Sequence, residues 1–72
     1  MSNYILKIHK DGEIRYCAEI IGFPVTLRFI GAHDPEQPHY FTSKDEALEY
    51  WRLFQRYKPA DTTGWFEEAV EL

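Results

Sequence analysis

The stretch Phe41 to Tyr57, FTSKDEALEYWRLFQRY, decides how this chain folds. Ala47, Tyr50, Trp51, Phe54 and Tyr57 recur at steps of three and four residues, flanked by Leu48 and Leu53, so one helix face is built largely from aromatic rings. Ser43 stands three residues before Glu46, the spacing at which each side chain satisfies the other's free backbone amide at a helix start. Asp45, Glu46 and Glu49 come early and Arg52, Arg56 and Lys58 late, the order that suits the helix dipole. Pro59 disfavours helical geometry at Lys58 and ends the helix there. A face of this kind needs an apolar surface to cover, and the preceding residues supply one.

Tyr4 to Lys10 alternates, with Tyr4, Leu6 and Ile8 on one side and Ile5, Lys7 and His9 on the other. Glu13 to Ile21 does the same, with Ile14, Tyr16, Ala18 and Ile20 opposite Glu13, Arg15, Cys17, Glu19 and Ile21. A period of two marks half-buried strands, and Asp11-Gly12 between the runs marks a hairpin. A two-residue Asp-Gly loop would set Ile8 opposite Arg15 and mix the faces. The pattern therefore predicts a three-residue loop, Lys10-Asp11-Gly12, with Gly12 left-handed, pairing Ile8 with Ile14, Leu6 with Tyr16 and Tyr4 with Ala18. Val25 to Ile30 forms a third run, and a four-residue loop, Ile21 to Pro24, pairs Ile20 with Val25, Ala18 with Leu27 and Tyr16 with Phe29.

Gly31, Asp34, Pro35 and Pro38 make the segment Gly31 to His39 a loop by turn chemistry, after which Tyr40-Phe41 extends briefly as a fourth edge. The tail, Trp65 to Leu72, reads two ways. A helix separates its apolar residues from its glutamates, whereas a strand turns Phe66, Val70 and Leu72 inward together with Glu68. Eight residues make a marginal helix, Gly64 is a poor first turn, and terminal acids oppose the dipole, so a strand is expected. The expected fold is α+β in two layers: a three-stranded antiparallel β-meander, one amphipathic helix across its inner face, and a C-terminal strand returning to the sheet (βββαβ). Residues 1–72 form a single domain.

Seventy-two residues hide only about 60 to 65% of the unfolded chain's surface, and five Phe, five Tyr and two Trp supply the large rings such a small core needs. Cys17 has no second cysteine to bridge to, and no basic start followed by an apolar run opens the chain, so a reducing, cytoplasmic setting is expected. No run approaches the roughly 18 apolar residues of a membrane span, and no membrane association is expected. The net charge of −4 is uneven: four cations face three carboxylates in residues 1–33, and four face nine in residues 34–72.

Constellations that carry chemistry are weak. His33, Asp34 and His39 share a loop but match no zinc-ligand spacing. His9 and Cys17 fall on one face yet too far apart along their strands to act as base and nucleophile. The adjacent acids Glu67-Glu68 and Asp45-Glu46 point apart. No catalytic residue, metal ligand or cofactor is therefore expected, and a small enzyme of unknown reaction is the weaker class.

The outer sheet face is more informative, showing Lys7, His9, Arg15 and Arg28 among Ile5, Ile21, Thr26 and Ile30. A mixed apolar and basic patch suits a protein partner or a second copy in a homodimer, anchored by Arg15 and Arg28. Lys7, His9, Arg15, Arg28, Ile5 and Ile30 are the candidate binding residues. Nucleic acid across the sheet is disfavoured by net charge and by the inward direction expected for Tyr4, Tyr16 and Phe29. The nine carboxylates of residues 34–72 suggest a second surface, one that an acidic inhibitor would present to a nucleic-acid-binding protein. The expected function is that of a small cytoplasmic, non-enzymatic protein-interaction module acting through the outer sheet face or an acidic surface.

Overall fold

Strands β1 (Tyr4–Lys10), β2 (Glu13–Ile21), β3 (Thr26–Gly31) and β4 (Phe66–Glu71) form one antiparallel sheet in a computed structural model that describes residues 3–72. Helices α1 (Lys44–Tyr57) and α2 (Pro59–Thr62) connect β3 to β4. The strand order β3-β2-β1-β4 is a meander joined by a returning C-terminal strand, as the sequence predicts, and the ambiguous tail is strand. Helix α1 starts where its cap lies, the Ser43 hydroxyl accepting from the Glu46 N–H at 3.1 Å. The Glu46 carboxylate reaches one residue farther back than a simple capping box, accepting from the Thr42 hydroxyl at 2.9 Å and the Thr42 N–H at 3.4 Å. The Lys58 N–H closes the helix on the Phe54 carbonyl, and Pro59 opens α2, where a missing N–H costs nothing.

The buried face of α1 is Ala47, Trp51 and Phe54, with Tyr50 and Leu53 half-covered beside them. Tyr57, expected on that face, is exposed, because it lies past the sheet and beside the β2–β3 turn, where it lines a groove with Phe23. Beneath the helix lie Leu6 and Ile8 of β1, Cys17 of β2 and Leu27 of β3, and Phe29 meets Trp51 edge-on at 5.9 Å.

The register differs from the expected one in three places. The β1–β2 hairpin turns through two residues, pairing Lys10 with Glu13 and Ile8 with Arg15. Asp11 (φ 50°) and Gly12 (φ 83°) both take positive φ, the type I′ geometry whose twist matches the strands. The mixed faces that argued against this turn cost little, because Arg15 falls on the helix side at an exposed end of the sheet, its guanidinium 4.9 Å from the Trp65 ring centre.

A bulge between Cys17 and Glu19 then adds a residue to β2. Cys17 pairs with Phe29 and Ile20 with Leu27 on the inner side, while Tyr16 turns outward opposite Ile30 rather than inward opposite Phe29. The bulge switches which side of β2 faces the helix, so Cys17 and Ile20 both contribute to the core although the spacing between them is odd. In β4, Phe66, Glu68 and Val70 pair with His9, Lys7 and Ile5 and so lie outward, against the inward direction expected, and Leu72 is exposed.

The expected pairing of Tyr4 with Ala18 is replaced by a wedge. The β1–β2 register ends at Lys7 and Tyr16; beyond it the His39 N–H donates to the Cys17 carbonyl at 2.8 Å. Tyr4 exchanges two backbone bonds with Phe41, at 2.9 and 2.8 Å. Residues 39–41 thus enter between β1 and β2 instead of adding an edge, and this delivers the fully buried Phe41 ring to the core.

Candidate interaction surface

The side of the sheet away from α1 is assembled by strand pairing. Ile5 stands beside Val70, Lys7 beside Glu68 and Tyr16, His9 beside Phe66 and Ile14, and Tyr16 beside Ile30. Past the bulge, Glu19 pairs with Arg28 and Ile21 with Thr26. Side chains directly opposite on antiparallel strands share a face, so these residues form one continuous surface. Ile5 and Ile30 are only 8% and 7% exposed, and the loop that follows β3 comes over the same side, its Glu36 clamped to the outward Arg28. Phe66 is 64% exposed, and His9 stacks on it with ring centres 5.6 Å apart and planes 29° from parallel.

The charged groups on this face are paired with one another. Lys7 Nζ lies 3.8 Å from the Glu68 carboxylate. Arg28 donates through Nε to Glu19 at 2.8 Å and through both Nη atoms to Glu36, with Nη1 at 3.0 Å. Glu36 is itself positioned by a turn in which its N–H bonds to the Asp34 carboxylate at 2.8 Å. The bidentate hydrogen bonding holds the Arg28 guanidinium above its ordinary pKa and the Glu36 carboxyl below its own.

Of the six residues singled out from sequence, Lys7, His9, Arg28, Ile5 and Ile30 therefore share the outer face. Arg15 does not, because the two-residue turn moves it to the opposite side, where it bonds to Glu13 at 2.6 Å and stacks on Trp65. Arg28 is tied to two carboxylates rather than held out as a free anchor. Ile14, Tyr16, Phe66 and Val70 are the outer-face residues that sequence reasoning missed. The Asp-Gly dipeptide was the signal that would have placed Ile14 and Tyr16. The outward Tyr16 also corrects one argument against nucleic acid, although the two cations nearest it on the face, Lys7 and Arg28, each stand beside carboxylates.

Other chemistry-bearing residues are dispersed. Cys17 has no exposed surface and faces the core, so it lies on the opposite side of the sheet from His9 rather than on the same face. The His39 ring packs edge-on against Phe41 at 4.7 Å, and among the described residues no three of His, Cys, Asp and Glu gather closely enough to share a metal ion. A separate groove of about 300 Å³ runs between the β2–β3 turn and the end of α1, lined by Phe23, Pro24, Val25, Leu53, Arg56 and Tyr57. No helix among the described residues is long and apolar enough to cross a membrane. The chain matches no family model, no curated protein and no solved structure.

Proposed function

We propose that this chain is a small, non-catalytic protein-interaction module that binds a protein partner through the outer face of its sheet. The observation that supports this most directly is the exposed Phe66–His9 stack on the outer face, with the half-buried Ile14 beside His9 and Val70 farther along β4. Exposed apolar surface of this kind marks contact sites, and an exposed aromatic ring is typical of an interface centre. Because Lys7 and Arg28 already stand beside carboxylates, the partner chemistry that fits is flat, apolar and close to neutral rather than strongly charged. The same pairing makes nucleic acid the poorer fit, since phosphate needs unspent cations. The single thiol of Cys17 suits a reducing, cytoplasmic setting.

The test is a double variant, His9→Glu with Phe66→Glu, which adds charge at two exposed positions without entering the core. A cytosolic protein captured by the wild-type chain and by Arg52→Glu, on the solvent side of α1, is expected to be lost with the double variant while the melting temperature holds. Undiminished capture by the double variant would overturn the reading.

A further inference from the structure

We propose a second binding site, apart from the outer sheet face: the groove between the β2–β3 turn and the end of α1 takes a short acidic peptide segment that carries a bulky apolar side chain. Phe23 starts the argument. Its ring is 94% exposed in the turn, more than any other large apolar side chain among the described residues, and it adds nothing to the core. Tyr57, 47% exposed, lines the same groove from the last turn of α1. The buried Val25 and half-buried Leu53 give the groove an apolar floor. Exposed rings beside such a floor mark a place where contact removes apolar surface from water.

Charge selects the occupant. Helix α1 places Asp45, Glu46 and Glu49 in its first half and Arg52 and Arg56 in its second, with Lys58 just beyond. Arg52 lies 3.8 Å from Glu49, but among the described residues no carboxylate comes within 4.0 Å of Arg56 or Lys58. Arg56 lines the groove, and Lys58 Nζ lies over the Tyr57 ring, 5.8 Å from its centre. In a chain of net −4, this end of the helix offers unspent positive charge beside apolar surface, and a carboxylate next to an apolar side chain answers both. Shape favours a peptide. The groove is open on one side, and its volume of about 300 Å³ stands at the foot of the roughly 300–1,000 Å³ of pockets that enclose small molecules, so it seats one or two side chains of a passing segment. An anionic membrane surface fits less well, because the nine carboxylates of residues 34–72 repel it.

The experiment is an amide NMR titration of the full chain with capped hexapeptides in which one Phe, Leu or Trp is flanked by Glu, each matched by a control with Gln in place of Glu. At least one acidic peptide is expected to shift the amides of the β2–β3 turn and of the end of α1, saturating below about 1 mM, with its Gln control at least about tenfold weaker. Phe23→Ala removes a ring that the core does not use, and Arg56→Gln with Lys58→Gln removes charge while keeping helix-forming side chains. Each change is expected to weaken binding at least about tenfold while the melting temperature holds. His9→Glu with Phe66→Glu should bind the peptide as the wild-type chain does, which separates this groove from the outer face. The proposal is overturned by the absence of saturable shifts with every peptide, by equal affinity for the Gln control, or by binding that survives loss of both cations. Shifts centred on the outer face and abolished by His9→Glu with Phe66→Glu would overturn it as well, and would assign the peptide to that face.

Discussion

Cys17 sits where the wedge, the bulge and the core meet: its carbonyl accepts from His39, its side chain has no exposed surface, and its neighbour across the sheet is Phe29. Burial pushes the thiol from 9.0 up to about 11, against smaller lowering effects from hydrogen bonding with the Glu19 backbone and from the Arg28 charge. The folded chain thus holds this proton more tightly than the unfolded chain. Unfolding releases it between pH 9 and pH 11, and stability falls as pH rises through that window. Urea midpoints measured across it should decline more steeply for the wild-type chain than for Cys17→Ala; parallel curves would show that the thiol contributes nothing. The inward direction of Cys17 was not legible in the sequence. Strict alternation assigned it to the outer side with Arg15, and only a bulge, which no residue in Tyr16 to Glu19 announces, reverses that.

At the scale of single elements, local chemistry and long-range pairing were unequally readable. Helix α1 follows from its cap, its dipole-ordered charges and its aromatic period, all of which lie within its own residues, and its observed bounds agree. The hairpin turn was also written locally, in Asp11-Gly12, but apolar matching between strands was given more weight than turn chemistry, and the turn prevailed. A Cβ added at Gly12 would meet nothing within 4 Å, so the cost of Gly12→Ala is purely that of forcing a side chain into positive φ, about 1 kcal/mol. Chemical denaturation should show that loss, with Asp11→Asn close to neutral because Asn accepts the same conformation. Strand β4 was identified by its composition, yet which of its sides faces outward depends on its partner β1, which its own residues do not encode.

For the whole molecule, one small core does all the holding. Trp51 is fully buried and touches both Phe29 and Phe54, and its indole Nε1 finds no acceptor among the described residues. Trp51→Ala should cost about 3–5 kcal/mol, enough to unfold most domains of this size, whereas Trp51→Phe should be milder because it also removes an unsatisfied donor. Circular dichroism melts of the two variants separate these outcomes, and an Ala variant of full stability would place Trp51 outside the core. The two-layer plan was legible because patterning alone fixes which elements are amphipathic; what covers the second side of the sheet is a property of no single element. One consequence remains in the strand order. Strand β4 lies against β1, with the Leu72 N–H bonded to the Asn3 carbonyl at 2.8 Å, so two strands separated by β2, β3 and both helices must meet. Until residues 66–71 leave the exit tunnel, β1 keeps an open edge and α1 lacks one of the strands it rests on, so the sheet closes only once β4 has emerged.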